Sequence, residues 1–289
     1  MFPAAFDYAA PDSLEEAVSL LQEKGEGARV LAGGQSLIPM MKLRLAAPSF
    51  LVDINRIDGL DTIERHNGSL RIGALVRHNR VIGDPDITAT SPLMASAAPW
   101  VADPIVRNRG TVCGSVAHCD PEGDWNSVML AARASVIATG ASGDRVIDID
   151  DFVVDFFTNS LQPGEIVTAV SIPVPQHPSG GSYQKLERRV GDYATVAVAV
   201  HVELDGDKIT NPGVALTAVN SKNTRASDAE SILQGQTPSD DLFAEAGAAA
   251  ARASDPETDV RGSVEWKRNV VATFTKRALT AAVDQARGG

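Results

Sequence analysis

The sequence predicts an α+β protein of two domains, and three observations carry that prediction. The first hundred residues mix short apolar strands with helices, without the βαβ spacing or the Gly-x-Gly-x-x-Gly of a dinucleotide fold. A proline- and glycine-rich stretch, residues 173–181, then breaks the pattern. Beyond it, long alternating strands form an antiparallel meander and give way to helices rich in alanine.

Taken in order, residues 12–24 read as a helix. Pro11-Asp12-Ser13 supplies the cap, Leu14, Ala17, Val18, Leu20 and Leu21 make one apolar stripe, and Gly25 and Gly27 stop it. Residues 28–32 form a strand that runs into Gly33-Gly34-Gln35-Ser36, and residues 37–44 form a short, Met-rich helix. Strands follow at 50–54, 60–64 and 69–73, the last two joined by the turn His66-Asn67-Gly68. Helical stretches begin at His78 and Pro92. Residues 100–125 read as a glycine-bearing loop, too polar for a strand and too patterned for a linker. A helix follows at 127–134, with strands at 135–139 and 145–149. After the break, strands over 182–189, 194–204 and 208–219 precede helices over 224–233, 240–253 and 260–285. No repeat at a solenoid period is present.

Composition narrows the function. The chain has 289 residues, 44% of them hydrophobic, and a formal charge of -11. That length allows two sizeable cores, and the acidic balance argues against a general nucleic-acid or anionic-membrane binder. No run approaches the roughly 20 apolar residues of a membrane span. The N-terminus lacks the basic start and apolar core of a signal peptide, so a cytoplasmic location is expected, reaching the inner face of a membrane only through partners. The 2 cysteines, Cys113 and Cys119, are too few for an iron–sulfur cluster or a structural zinc. Any redox group is therefore organic or lies in a partner.

Two stretches carry candidate chemistry. In Ala32-Gly33-Gly34-Gln35-Ser36-Leu37, glycines let bare backbone N–H groups approach an anion and Ser36 adds a hydroxyl donor, as a pyrophosphate cradle requires. The same residues could equally make a strand-to-helix turn that binds nothing. In the 107–124 stretch, donors (Thr111, Ser115, His118) precede two carboxylates, Asp120 and Asp124. Donors suit phosphate oxygens, and carboxylates suit ribose or ribityl hydroxyls. Adjacent His118, Cys119 and Asp120 make a poor metal site, because neighbouring loop side chains rarely converge on one ion. Cys113 as a nucleophile would need a low-pKa setting, for which Arg107 and Arg109 are only suggestive. A serine or cysteine hydrolase would need Gly-x-Ser-x-Gly or a paired His, and neither is found. Lys185 could face an anion and Tyr193 could stack on a planar ring, or both could be ordinary strand residues.

Three stretches together resemble one family. Ala32-Gly33-Gly34-Gln35-Ser36-Leu37, with Met40-Met41-Lys42 and Leu51-Val52-Asp53-Ile54, is similar to the first FAD loop of the medium, flavin-carrying subunit of the molybdenum hydroxylases. Asp103-Pro104-x-x-Arg107-Asn108-x-Gly110-Thr111-Val112-x-Gly114, running to Asp120-Pro121 and Asp124, resembles the second loop of that subunit. Tyr183-x-Lys185-x-x-x-Arg189-x-x-Asp192-Tyr193-Ala194 resembles the opening of its C-terminal domain. Within the family, the aerobic carbon monoxide dehydrogenase type is the nearest pattern.

That resemblance implies a fold and a role. The fold would be a PCMH-type, vanillyl-alcohol-oxidase-like FAD domain over residues 1–175, with subdomains of about 1–56 and 57–175. A C-terminal domain over 179–289 would follow, built on a three-stranded antiparallel sheet with helices. FAD would be held by Ala32, Gly33, Gly34, Gln35, Ser36, Leu37, Ala102, Thr111, Gly114 and Ser115, with His118, Asp120 and Asp124 at its hydroxyls. Val167, or neighbouring Ile166, would lie on adenine, and Lys185 and Tyr193 at the isoalloxazine. No residue of this chain would be catalytic in its own right, and no metal would bind here. The molybdenum cofactor and two-iron iron–sulfur clusters would reside in a large and a small partner, in a dimer of heterotrimers that passes electrons to a quinone, NAD or oxygen. The flavin subunit of a nicotinate-, purine- or aldehyde-type enzyme, or a flavin-free docking subunit, is the alternative. One departure stands out: the family has two glycines where this chain has Cys113-Gly114, and a Cβ at Cys113 would crowd a close phosphate unless φ there is negative.

Overall fold

The computed structural model describes residues 2–288. The N-terminal segment folds as β1 (Asp7–Ala9), α1 (Leu14–Lys24), β2 (Ala28–Leu31), α2 (Leu37–Lys42) and β3 (Phe50–Asp53). Ser13 caps α1 by accepting from the Glu16 N–H, and Gly25 ends it with φ +59°. The three strands form a parallel sheet in the order β1-β3-β2, covered by Ala17, Val18 and Leu21 of α1.

The next segment builds a second sheet. The hairpin of β4 (Ile63–His66) and β5 (Ser69–Gly73) turns at Asn67 and Gly68, both with positive φ, as a tight two-residue turn requires. Helices α3 (His78–Val81), α4 (Pro85–Thr90), α5 (Pro92–Ala97), α6 (Pro104–Arg107), α7 (Val112–His118) and α8 (Asp124–Ala131) follow. Then come β6 (Ser135–Gly140), β7 (Gly143–Asp148), α9 (Ile149–Phe152), the ribbon β8 (Val153–Asp155) and β9 (Thr158–Asn159), and β10 (Ile166–Pro173). The five-stranded sheet runs β4-β5-β10-β6-β7. The stretch over 100–125 is thus mostly helical, not a loop. Two of its polar residues are helix caps: Asp103 accepts from the Val106 N–H and Thr111 from the Gly114 N–H.

The C-terminal segment comprises β11 (Ser179–Leu186), β12 (Val196–Asp205), β13 (Lys208–Thr217), the two-residue β14 (Thr224–Arg225), α10 (Ser227–Leu233), α11 (Asp240–Ala253) and α12 (Val264–Ala286). The sheet has four strands rather than three, the short edge strand β14 having been read as the start of a helix. The break in the chain is also shorter than its composition suggests. Gly180 and Gly181 lie inside β11, where a Cβ would come 1.8 Å from the Ala282 carbonyl oxygen and 2.3 Å from the Leu93 nitrogen. These glycines admit close neighbours and are not hinges.

Alternation along β12 joins the two parts. Val196, Val198 and Val200 face a core shared with α11 and α12, while Ala197 and Ala199 face the core of the preceding segments. Small residues on that second face let α5 and α8 approach the sheet.

Candidate functional site

The glycine turn between β2 and α2 is half-buried, and the backbone N–H groups of Gly33, Gly34, Gln35 and Ser36 find no backbone acceptor among the described residues. Unpaired donors of this kind are costly unless water or a ligand takes them up. Gly34 has φ +74°, and a Cβ there would strike Ile38 and Leu31. A Cβ on Gly33 would lie 2.5 Å from the Arg109 carbonyl oxygen and 2.7 Å from the Gly110 Cα. The turn therefore lies directly against the segment that starts α7, and only glycine permits the contact.

That second segment is fixed from the β5–α3 connection. The His78 N–H donates to the Gly110 carbonyl at 3.0 Å, and the Val112 N–H donates to Val76 at 3.1 Å. His78 is buried beneath it and accepts from the Trp125 indole N–H at 3.0 Å. Burial first, then the charges of Arg107 and Arg77, lower the His78 pKa to about 4, so the ring is neutral. Gly114 and Ser115 stay accessible at the start of α7, while Thr111 is buried.

The Cys113 side chain lies in the core. The residue lies in the first turn of α7 with negative φ, fully buried, its thiol against the Ile72 carbonyl oxygen at 3.4 Å. Burial pushes the thiol up to about 12, which removes it as a nucleophile. Cys119 ends the same helix with φ +50° and is buried as well.

Other expected residues fall into two groups. His118, Asp120 and Tyr193 form a partly open rim. The His118 ring meets Phe157 at 4.8 Å and burial lowers its pKa. Burial and the Asp120 charge push Tyr193 up to about 12. Ala102 has φ +48°, and Gly191, two residues before Tyr193, lies against Ala102 and Asp103. Val167 is buried at a bulge in β10.

Asp124 and Lys185 are brought together away from solvent. The Lys185 ammonium donates to Asp124 Oδ2 at 3.1 Å and to the Trp100 carbonyl at 3.0 Å. The Tyr183 hydroxyl donates to Asp124 Oδ1 at 2.7 Å. Each carboxylate oxygen of Asp124 thus already has a protein partner. Burial raises the Asp124 pKa, and the Lys185 charge opposes that rise. Tyr183 entered the sequence reading only as part of a motif; nothing local to it signals a hydrogen bond to a residue 59 positions away. Asn55 and Arg77, which join the two glycine segments, carried no signal in the sequence. The Asn55 amide donates to the Ala32 carbonyl at 2.8 Å and accepts from Arg77 at 2.5 Å, and Arg77 donates on to the Arg109 carbonyl.

Two family models match the chain. One, described as the FAD binding domain in molybdopterin dehydrogenase, covers residues 4–175, and the other, the CO dehydrogenase flavoprotein C-terminal domain, covers residues 181–282. Among curated proteins, the chain is 38% identical to the 6-hydroxypseudooxynicotine dehydrogenase complex subunit alpha of Paenarthrobacter nicotinovorans, over 99% of this chain and 97% of that one. It is 38% identical to the carbon monoxide dehydrogenase medium chain of Hydrogenophaga pseudoflava, over 98% of both. Among solved structures, carbon monoxide dehydrogenase from Hydrogenophaga pseudoflava aligns with a TM-score of 0.95 at 38% identity, over 99% of each chain. Quinoline 2-oxidoreductase from Pseudomonas putida 86 aligns with a TM-score of 0.91 at 32% identity, over 100% of this chain and 99% of that one.

Proposed function

This chain belongs to the FAD-binding medium subunits of the molybdopterin dehydrogenases, and we propose that it works as the electron-transfer subunit of a molybdenum hydroxylase complex. In this reading the substrate is oxidised at molybdenum in a large partner, and a small iron–sulfur partner delivers the electrons to this chain. An external acceptor, a quinone, NAD or oxygen, then takes them. Bound FAD supplies a carrier able to accept electrons singly and release them singly or in pairs.

The observation that carries the proposal is the half-buried turn 33–36, with four backbone N–H groups unpaired by backbone acceptors, set against the start of α7. Those donors, with the hydroxyls of Ser36 and Ser115, suit a pyrophosphate, and Gly114, whose own N–H is taken by Thr111, leaves room for it at the start of α7. His118, Asp120 and Tyr193 on the rim suit hydroxyls and a ring edge, with Ala102 on the wall and Val167 beneath. Asp124 and Lys185 support this wall through their pairing. A reading without flavin rested on Cys113 obstructing the cradle, and its burial in the core removes that ground.

The substrate follows the large subunit. Relatives at 36–38% identity carry names referring to carbon monoxide, 6-hydroxypseudooxynicotine, glyceraldehyde and nicotine, so similarity in this subunit does not by itself select a substrate. A carbon monoxide dehydrogenase complex is the reading we favour, assembled as a dimer of heterotrimers in the cytoplasm. Residues 1–175 would then be the flavin domain, in subdomains of about 1–56 and 57–175, and 179–289 the C-terminal domain. Among the described residues no helix is long and apolar enough to cross a membrane.

The test is an FAD titration of the purified chain followed by absorbance, with Ser36→Asp as the variant. Ser36 precedes α2 and its side chain makes no capping hydrogen bond, so the exchange breaks no contact there, while an Asp would set a negative charge against the pyrophosphate. Wild type is expected to take up FAD with a flavin spectrum, and Ser36→Asp to weaken uptake on the order of 100-fold with its thermal midpoint kept. Equal uptake by both would place the phosphates elsewhere. No uptake by folded wild type would overturn the proposal.

A further inference from the structure

Two separate segments provide the cradle, and their relative position must be set before either can share an anion. Residues up to 56 form their own sheet, which pairs with no other strand. One continuous apolar cluster, which includes Val52 and Ile54, joins that unit to the rest, and such packing is non-directional. Among the described residues, one side-chain hydrogen bond crosses from residues 2–56 to residues beyond 57: the Arg77 guanidinium to the Asn55 amide oxygen at 2.5 Å.

Each partner of that bond is tied to one of the two glycine-bearing segments. The Asn55 amide nitrogen donates to the Ala32 carbonyl at 2.8 Å, immediately before the glycine turn. Asp53 orients the same side chain, accepting from the Asn55 N–H at 2.9 Å and from its amide at 2.6 Å, and Tyr8 donates to the other Asp53 oxygen. On the opposite wall, Arg77 donates through its second guanidinium nitrogen to the Arg109 carbonyl at 2.5 Å. Its backbone bridges to Thr111. That Arg109 oxygen is the atom nearest to a Cβ placed on Gly33.

We infer that Asn55 and Arg77 form a positioning relay that fixes the register of the two cradle walls, and so the affinity for a dinucleotide pyrophosphate. The inference rests on the FAD-binding reading above. Arg77 suits the task because its planar fork holds two acceptors in a fixed geometry, whereas a lysine presents a single point charge. The bonds of Asn55 and Arg77 run to the Ala32 and Arg109 carbonyls and to each other, so we assign them as positioning residues. Preorganisation of this kind acts on affinity by reducing the ordering that binding requires.

The experiment is an FAD titration of the full chain and of Arg77→Met, Arg77→Lys, Asn55→Ser and the Asn55→Ser/Arg77→Met double variant. Absorbance gives Kd, visible circular dichroism reports the flavin environment, and thermal midpoints of the flavin-free chains report folding. Arg77→Met is expected to raise Kd 10- to 100-fold with a flattened flavin dichroism, while its flavin-free midpoint stays close to wild type. Arg77→Lys should fall between the two. The double variant should bind no more weakly than the worse single one, because partners in one relay are not additive. Additive losses, or an unchanged Kd in Arg77→Met, would overturn the relay while leaving FAD binding intact. If Arg77→Met does not fold, Arg77→Lys and Asn55→Ser decide between the same outcomes. A folded wild type that binds no FAD removes the relay and the reading beneath it together.

Discussion

The glycine turn 33–36 and the Tyr183–Asp124–Lys185 cluster treat polar groups in opposite ways. The turn leaves four N–H groups without a backbone acceptor in a half-buried position. The cluster is nearly inaccessible, yet both oxygens of its carboxylate are taken by side chains 59 and 61 residues away. Open donors are the mark of a site that awaits an anion. Closed pairs are the mark of a wall that must keep its shape. Two parts of one molecule can therefore carry equally polar residues with different work to do.

The largest expected effect breaks the closed side. Lys185→Met leaves the Asp124 carboxylate buried with Tyr183 as its main partner, and such loss costs roughly 3–5 kcal/mol. Urea unfolding of the flavin-free chain at neutral pH would measure it. Asp124 already has a raised pKa, and losing the Lys185 charge raises it further. A raised acid is stabilised by protonation, so the deficit of Lys185→Met should shrink as pH falls. Asp124→Asn combined with Lys185→Met should recover part of the loss, since the Asp124 charge is gone while Glu187, 3.6 Å from the Lys185 ammonium, still loses its ion partner. A deficit that is independent of pH would mean that the pair is not held as ions.

The difference between the two regions also explains how much could be read from the sequence. The open side was legible because its chemistry is local: Gly33, Gly34 and Ser36 are adjacent, and a turn that exposes N–H groups is written in consecutive residues. The segment of Thr111 and Gly114 reads as a loop although it starts a helix, since its capping residues are also turn formers. The alternating strands after residue 181 and the Asn67-Gly68 hairpin followed from period-two patterning. The closed side depends on contacts between distant strands and helices, so the meeting of Asp124 with Lys185 and of Asn55 with Arg77 had no local trace. Gly180 and Gly181 misled because glycine serves hinges and close approaches alike, and only the nearness of Ala282 and Leu93 distinguishes them.

A second closed carboxylate sharpens the comparison at lower cost. Glu203 on β12 is buried and accepts from the Gln176 and His177 N–H groups at 2.9 and 3.1 Å and from Asn211 at 2.8 Å. Burial alone would raise its pKa, but His201 and these donors overcome that and hold it at about 2. The ordinary glutamate value lies above this, so the stabilisation is fully present above about pH 4.5 and is lost as pH falls toward 2. Glu203→Gln should remove about 2 kcal/mol near neutral pH, the scale of one or two charge-assisted hydrogen bonds. It should also flatten the acid limb of the stability curve between pH 4.5 and 2. An unchanged acid limb would show that the connection over 174–178 is held by packing alone.

The smallest effect lies where the two regimes meet, at Cys113. Its backbone belongs to the segment that closes the cradle, and its side chain belongs to the core beside Ile72. Cys113→Gly restores the two-glycine pattern of the family and tests which membership matters. If the thiol is purely a core group, the variant loses a small buried side chain and gains glycine's helix penalty, together about 1–2 kcal/mol. FAD affinity should then be unchanged within about twofold, because the Cβ already points away from the ligand side. Tighter FAD binding in Cys113→Gly would show that the Cβ does hold the phosphates off and that the departure from two glycines weakens the cradle. Equal affinity with lower stability would show that a cradle wall can carry a side chain wherever its backbone keeps φ negative, and that the second glycine is dispensable at the start of a helix but not in the turn at Gly34, where φ is +74°.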